Sequence, residues 1–251
     1  MPFRRLLFCL LLPFLSWGQT PVEDLLEQGF QERGRKAIRL FTRAIRQDST
    51  SAKAYWRRGD EYYRLKKYPL ALADLNKSLQ VDSAFSYGQV IADRGQTHEM
   101  MGNYAAAIRD FTRAIAYAAA KDPDLPQGLE QYYYHRGRTN LKDRDTTCAL
   151  LDLASALRYY PKHYEARTLR ARVYCRQGKY QAALAEYAYL FEKAYPGLDL
   201  RLEAESAADF YYRGRAKQQV GDSTWRRDSA IAKRFHYYPG KPIYQKGPGG
   251  Y

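Results

Sequence analysis

The side chains best suited to chemistry in this sequence are arginines and lysines that recur beside tyrosines. Arg138 and Lys142 stand four residues apart, as do Arg172 and Arg176, so each pair shares one face if its segment is helical. Tyr134 adds an aromatic ring four residues before Arg138. Guanidinium groups bind carboxylates through paired hydrogen bonds, and tyrosine rings bind apolar groups. The pattern is compatible with recognition of an acidic, partly apolar extended peptide. It fits equally well a solvated basic face that binds no ligand.

Sequence motifs of catalysis are missing. The chain has no Gly-Xaa-Ser-Xaa-Gly, no P-loop and no Gly-Xaa-Gly-Xaa-Xaa-Gly. The segment after His98 lacks the second histidine of a zinc-binding helix, so His98 is expected to pack or cap within its helix pair. The other histidines, His135, His163 and His236, have no ligand spacing among them. We therefore expect a protein that is not an enzyme and holds neither a metal nor a cofactor.

The charge of the chain limits the kinds of partner. Its 41 basic and 27 acidic side chains give a formal net charge of +14, and the excess persists without the two arginines near the N-terminus. Such an excess permits binding to nucleic acid, to other anionic polymers or to a membrane surface, but it demonstrates none of them.

Residues 90–120 show the structural unit that positions the basic and aromatic side chains. Apolar or small residues recur every three or four positions up to Met101, and Gly102-Asn103 then favours the left-handed backbone that ends a helix. The same period resumes from Tyr104 to Ile115. The pattern predicts two antiparallel amphipathic helices, which need a neighbouring pair to cover their remaining apolar surface.

The same register recurs along the chain. Each unit has a small residue in its first helix, which we call the marker. The marker is followed by an aromatic residue at +9, alanine at +12, a large apolar residue at +16 and alanine at +19. Several units have another residue at one of these positions. The markers are Gly59, Gly95, Gly137 and Ala171, and a fading unit follows Gly214. This register resembles the tetratricopeptide repeat, a helix-turn-helix of 34 residues. The resemblance implies an all-α fold, a right-handed α-solenoid of stacked antiparallel helix pairs, and a non-catalytic scaffold that binds other proteins.

The remaining segments define the expected domain organisation. Residues 1–18 have two arginines, an apolar run of about ten residues and small residues near Gly18, which is typical of a secretory signal peptide. We expect export, to a periplasm or to the outside, after cleavage near Gly18; an uncleaved anchor is the lesser alternative because the run is short. Residues 19–237 are expected to hold about six repeats, the first and last degenerate. Residues 238–251, rich in Gly, Pro and Tyr, are expected to form a disordered basic tail.

The resemblance also implies where a partner binds, because first helices line the concave face of such solenoids. We expect Arg138, Arg172 and Arg176 to hold acidic groups, and Trp56 and Tyr134 to hold apolar ones. Asp60 and Gln96 stand where chaperone-binding members of the family have asparagine, so binding of chaperone tails is not expected. The full set of expected groove residues is Trp56, Asp60, Tyr63, Arg64, Gln96, Tyr134, Arg138, Lys142, Arg172, Arg176, Tyr211 and Arg215.

Two further features carry expectations about contacts. An arginine precedes each marker, and we expect these residues to lay their aliphatic stems over the helix contact and to expose their charged heads; they are Arg58, Arg94, Arg136, Arg170 and Arg213. Cys148 and Cys175 fall on helices that pack together in this architecture. They either form a disulfide or remain two buried thiols.

The sequence leaves two functional hypotheses. One is a scaffold that binds an unidentified protein or peptide in its groove. The other is a binder of an anionic polymer or a membrane surface through net charge and the basic tail. Nucleic acid is not the expected partner, because that role would require the signal-peptide prediction to be wrong.

Overall fold

The structure is a computed structural model that describes residues 21–84, 87–121, 128–193, 207–235 and 237 of the 251-residue chain. The predicted signal peptide and C-terminal tail lie outside these residues, as do most of the two longest loops. The described residues form twelve helices and no strand. The helices are α1 (Pro21–Gln31), α2 (Arg35–Gln47), α3 (Ala52–Arg64), α4 (Tyr68–Val81), α5 (Tyr87–Met100), α6 (Tyr104–Lys121), α7 (Leu129–Lys142), α8 (Thr146–Tyr159), α9 (Tyr164–Arg176), α10 (Tyr180–Lys193), α11 (Ala207–Gln219) and α12 (Trp225–Arg234).

The helices pack as six consecutive pairs, each against the next pair along the chain. The first helices of neighbouring pairs also contact one another, namely α3 with α5, α5 with α7, and α9 with α11. The described second helices of neighbouring pairs lie further apart. The stack is therefore concave on the side of the first helices. Its buried apolar side chains form three successive clusters instead of a single central core. This architecture confirms the all-α solenoid predicted from the register. No helix within the described ranges is long and apolar enough to cross a bilayer.

Small markers let the two helices of a pair approach closely. A Cβ atom on Gly95 would lie 3.1 Å from the Phe111 ring, and one on Gly137 would lie 3.1 Å from the Cβ of Asp152. Larger side chains at these positions would force the helices of a pair apart.

The turn within each of the last five pairs is built in one way. Its second residue, seven positions after the marker, has a positive φ: 79° at Gly102, 74° at Gly178 and 80° at Gly221. Lys66 and Arg144 occupy the same position with φ of 58° and 67°. The turn geometry is therefore kept even where the residue type is unfavourable for it.

The arginines that precede the markers form a repeated ion pair, which corrects the expectation that their heads are exposed. Arg58 donates from Nε to Asp74 Oδ2 at 2.7 Å and from Nη2 to Asp74 Oδ1 at 2.8 Å. Its Nη1 donates to Thr42 Oγ1, 3.1 Å away on the preceding pair. The arginine side chain is only 18% exposed. The equivalent arginine–carboxylate pairs are Arg94–Asp110, Arg136–Asp152, Arg170–Glu186 and Arg213–Asp228.

We call these five ion pairs the arginine ladder. Where the arginine also contacts the preceding helix pair, it connects three helices. Arg94 donates to Asn76 at 3.0 Å and Arg136 donates to Thr112 at 3.0 Å, both on the second helix of the preceding pair. In the last pair, the guanidinium of Arg213 lies over the Phe191 ring, 3.4 Å from its centroid. The ladder thus contributes both to pairing within a repeat and to stacking between repeats.

Candidate functional site: the concave groove

The N-terminal half of the groove contains a small pocket between α3 and α5. The pocket holds about 50 Å³, which is room for one small polar group. Three expected groove residues, Asp60, Tyr63 and Gln96, line it, and Trp56 reaches its edge through a hydrogen bond to the lining residue Asp93. The complete lining is Gly59, Asp60, Tyr63, Leu75, Asp93, Gln96 and Thr97.

Asp93 is the group in this pocket that the sequence did not indicate. Trp56 Nε1 donates to its Oδ2 at 2.7 Å, and Gln89 Nε2 donates to its Oδ1 at 2.9 Å. Burial raises the pKa of the Asp93 carboxyl to about 6, and the two hydrogen bonds offset burial only in part. Asp60 raises that pKa further, whereas Arg57 lowers it.

The middle of the groove is closed by an ion cluster around Glu99 on α5. Arg138 donates from Nε and Nη2 to the two Glu99 oxygens at 2.9 and 2.7 Å, and Lys142 Nζ lies 2.7 Å from Oε1. The Glu99 side chain is fully buried. Burial raises its pKa, but the hydrogen bonds and charges of Arg138 and Lys142 outweigh burial and hold the pKa of Glu99 below its ordinary value. Arg138 and Lys142 are therefore already paired with a carboxylate of the chain itself.

Near the C-terminal end, Arg172 is enclosed by the fold instead of facing an open groove. Its Nε donates to Asp209 Oδ1 at 2.9 Å, and its Nη2 lies 2.8 Å from the same oxygen. Both residues are buried, with exposed fractions of 5% and 3%. The expectation that Arg172 presents its guanidinium to a ligand thus fails in this arrangement, because the repeat stack has supplied the acidic partner. Arg176 and Arg215 remain exposed at this end of the groove, and Arg64 is exposed near the opposite end.

Aromatic side chains of the groove mostly contact one another. Tyr134 is half-buried, with its ring centroid 4.8 Å from that of His163 and 5.3 Å from that of His135. The His135 ring also stacks on Phe111 at 5.7 Å. Tyr211 packs on Tyr237 with centroids 5.3 Å apart. These contacts between rings stabilise the stack.

Burial affects the charge state of His135. It lowers the pKa of the imidazole to about 3, with Arg138 acting in the same direction and Glu99 opposing it. The ring is therefore neutral in the folded protein at physiological pH.

The two cysteines of the described chain are not bonded to each other. Cys175 is buried and donates from Sγ to the Tyr212 carbonyl at 3.4 Å, whereas Cys148 is exposed at the start of α8. The expectation of two buried thiols is therefore wrong for Cys148. Burial raises the pKa of the Cys175 thiol to about 12, so it stays protonated and unreactive. No group of three or more potential metal ligands occurs among the residues that the structure describes.

Sequence reasoning missed the acidic partners of the basic residues, although one signal was present. A carboxylate follows the ladder arginine at +16 in four repeats and at +15 in the fifth, so the ladder was legible from spacing alone. Glu99 and Asp209 gave no such signal, because their arginine partners belong to a neighbouring repeat. Glu99 is 39 positions from Arg138, and Asp209 is 37 positions from Arg172.

Comparison with known proteins places this fold and groove in a family. A profile of the tetratricopeptide repeat matches residues 26–87 and 134–199, half of the chain. DnaJ homolog subfamily C member 7 of Homo sapiens is 25% identical over 205 residues, which are 78% of this chain but only 39% of that protein. The chain belongs to the tetratricopeptide repeat family.

Solved structures agree on the fold. PilW, described as a widely conserved type IV pilus biogenesis factor, superposes with a TM-score of 0.70 at 16% identity, covering 88% of this chain and 97% of PilW. YrrB, described as a tetratricopeptide repeat protein with an unusual peptide-binding site, gives a TM-score of 0.58 at 20% identity. That superposition covers 78% of this chain and 92% of YrrB. Repeats of this kind form protein-interaction scaffolds.

Proposed function

We propose that this protein is a non-catalytic scaffold that binds an extended protein segment along the concave face of its first helices. The observation that carries the proposal is the row of first helices along the concave face, where a pocket between α3 and α5 is lined by polar and aromatic side chains. The peptide-binding site named for YrrB, which has the same fold, supports this choice of surface.

The exposed charges along the groove suggest which way the segment lies. Asp60 and Asp93 line the pocket near the N-terminal end, whereas Arg176 and Arg215 are exposed near the C-terminal end. Arg172 is buried and the Arg138 side chain is only 22% exposed, so we assign the acidic part of the segment to the more exposed Arg176 and Arg215. Charge-assisted hydrogen bonds from guanidinium to carboxylate are strong enough to orient such a segment.

A selection from a random peptide library tests this proposal. Peptides enriched on the wild-type protein should contain acidic residues and should lose at least about tenfold in affinity for the double variant R176E/R215E, as expected when two charge-assisted contacts become repulsive. The double variant R226E/R227E makes the same charge change on exposed residues of α12 and should bind normally. Failure to enrich any peptide, or equal losses in both variants, would remove the groove as the binding surface.

A second candidate function is supported by α2. This helix has no acidic residue, and its five basic side chains are all exposed, namely Arg35, Lys36, Arg39, Arg43 and Arg46. The ion pair found on it in the described structure is Lys36–Glu32, at 3.8 Å. An anionic polymer or membrane surface would find a dense row of guanidinium groups here.

Salt distinguishes the two candidates. Adsorption to vesicles containing phosphatidylserine should fall steeply between 50 and 300 mM salt, roughly as expected for screened surface charges, and should be weaker for R39E/R43E. Capture of a groove peptide should weaken much less over that range, because it depends on fewer exposed charges and also on contacts that salt does not screen. Adsorption that is the same for neutral vesicles would exclude the electrostatic function.

We also propose that the chain is exported and that residues 1–18 are its signal peptide. Mass spectrometry of the mature protein should find an N-terminus near Gln19. An intact Met1 in the mature chain would contradict cleavage and reopen an intracellular role.

A further inference from the structure

Asp93 differs in its partners from the fully buried carboxylates of the described chain. Each of the eight buried carboxylates of the described chain lies within 4 Å of an arginine. Asp93 is half-buried in the groove, yet its described partners are the neutral donors of Trp56 and Gln89. No ion pair within 4 Å is described for Asp93, although the chain has a formal net charge of +14, so the carboxylate can still pair with a cation of a partner.

The nearby arginines are engaged elsewhere. Arg57 has its guanidinium carbon 4.0 Å from the Trp56 ring centroid and 4.8 Å from that of Phe30, so it makes cation–π contacts with both rings. Arg64 pairs with Asp60 at 2.9 Å, and its side chain is 47% exposed. Neither arginine fills the pocket. Arg138 is held by Glu99.

The lining of the pocket contains groups that attract a cationic head group. Asp60 and Tyr63 line it from α3, and Asp93 lines it from α5. Each Asp93 oxygen accepts one described hydrogen bond, and a carboxylate oxygen has two lone pairs, so capacity for a further donor remains. An ammonium or guanidinium between two carboxylates and an aromatic ring gains both ionic and cation–π attraction.

We propose that the pocket between α3 and α5 binds a lysine or arginine side chain of the protein segment held in the groove. This inference rests on the proposed function, and it adds a basic residue to the recognised segment at the end opposite to its acidic part. Trp56 is a positioning residue here, because it orients the Asp93 carboxylate and does not line the pocket itself.

The indole of Trp56 offers a direct reporter, since its N–H donates to Asp93. Full-length protein labelled with ¹⁵N is titrated with the peptide Ac-Ala-Ala-Lys-Ala-Ala-amide while the Trp56 indole resonance is followed. We expect a saturable shift. The same peptide with norleucine or glutamate in place of lysine should leave the resonance unchanged.

Two variants locate the effect. D93N should weaken the lysine peptide about tenfold or more, the loss expected when a charged hydrogen-bond partner is removed, and D60N should weaken it by a smaller factor. D143N makes the same chemical change in an exposed turn residue and should bind like the wild type. Far-ultraviolet circular dichroism confirms that each variant is folded, and D60N retains the test if D93N is not.

The outcomes separate this inference from the proposed function. An equal response to the norleucine peptide, or an undiminished response of D93N, overturns the basic-residue pocket. The library selection on R176E/R215E is independent of that result. Peptide binding in the groove can therefore be supported even if the pocket binds no basic residue. Enriched groove peptides that carry no basic residue would also contradict the pocket.

Discussion

Arg138 on α7 and Glu99 on α5 form a two-point ion pair, with N···O distances of 2.7 and 2.9 Å, that joins neighbouring first helices across the concave face. The carboxylate is fully buried while the guanidinium side chain is 22% exposed. Glu99 thus depends on this arginine and on Lys142 for its charge. The same ion pairs hold the third helix pair against the fourth.

Removing the arginine should therefore destabilise the stack. R138M leaves the buried Glu99 with Lys142 as its remaining cation and should lower the free energy of unfolding by about 3 kcal/mol, as for other broken buried ion pairs. Urea denaturation followed by circular dichroism measures the change. R109M on the exposed face of α6 is the control and should change stability by less than about 0.5 kcal/mol. The double variant E99Q/R138M should recover part of the loss, and a larger loss in the double variant would contradict this explanation.

Asp93 and Asp110 should respond in opposite directions to the same substitution. The pKa of Asp93 is about 6 in the fold against an ordinary value of 3.8, so folding disfavours its ionised form above about pH 6. D93N removes this penalty and should raise the free energy of unfolding at pH 7 by about 1–2 kcal/mol, a figure reduced for partial exposure. The gain should shrink as pH falls below 6 and should vanish below about pH 3.8, where the aspartate is protonated in both states.

D110N is the matched comparison, because it breaks a ladder pair with Arg94 at 2.8 Å. It should lower the free energy of unfolding by about 2 kcal/mol or more. Thermal denaturation of the two variants at pH 7 gives the sign directly. Equal destabilisation by both substitutions would mean that Asp93 is an ordinary structural carboxylate.

The turn residues offer a gain in stability without any new contact. Lys66 and Arg144 have positive φ where the other described turns of this type have glycine. K66G and R144G should each raise the free energy of unfolding by about 1 kcal/mol, because glycine adopts the left-handed conformation without the Cβ penalty. G102A at the equivalent position should cause a loss of similar size. Denaturation midpoints with unchanged slopes in urea check both signs.

His135 should make the fold sensitive to mild acid. Its pKa is about 3 in the folded protein, against an ordinary value of 6.5. Between these two pH values, His135 is protonated in the unfolded chain but neutral in the folded one. The free energy of unfolding should fall as pH drops from 6.5 toward 3, and this loss is absent above 6.5. Arg138 and His163 oppose protonation and Glu99 favours it.

H135F tests the assignment, since phenylalanine can keep the stacking on Phe111 without a titrating group. The variant should lose less stability than the wild type between pH 7 and pH 5. Parallel pH profiles of the two proteins would show that another group causes the acid sensitivity.

Part of this structure was predictable from the sequence because the information was local. The markers, the left-handed residue after each first helix and the ladder carboxylate all lie within about one repeat of one another, where helical spacing fixes the contacts. Gly95, Phe111 and Gly102 were placed correctly for that reason. The interactions of Arg172 and Trp56 were not, because their partners Asp209 and Asp93 belong to the next repeat. Their contacts depend on how the pairs stack, which helical periodicity does not specify.

The arginine ladder also determines what the outside of the coil presents to its surroundings. In α4, α6, α8 and α12 the single carboxylate of the helix is turned inward to an arginine, and α2 has none at all. These backs of the repeats are left with exposed lysines and arginines and no acid to offset them. Neighbouring molecules approaching back to back will repel each other, so crowded solutions of this protein should stay dispersed at low ionic strength and self-associate as added salt screens that repulsion.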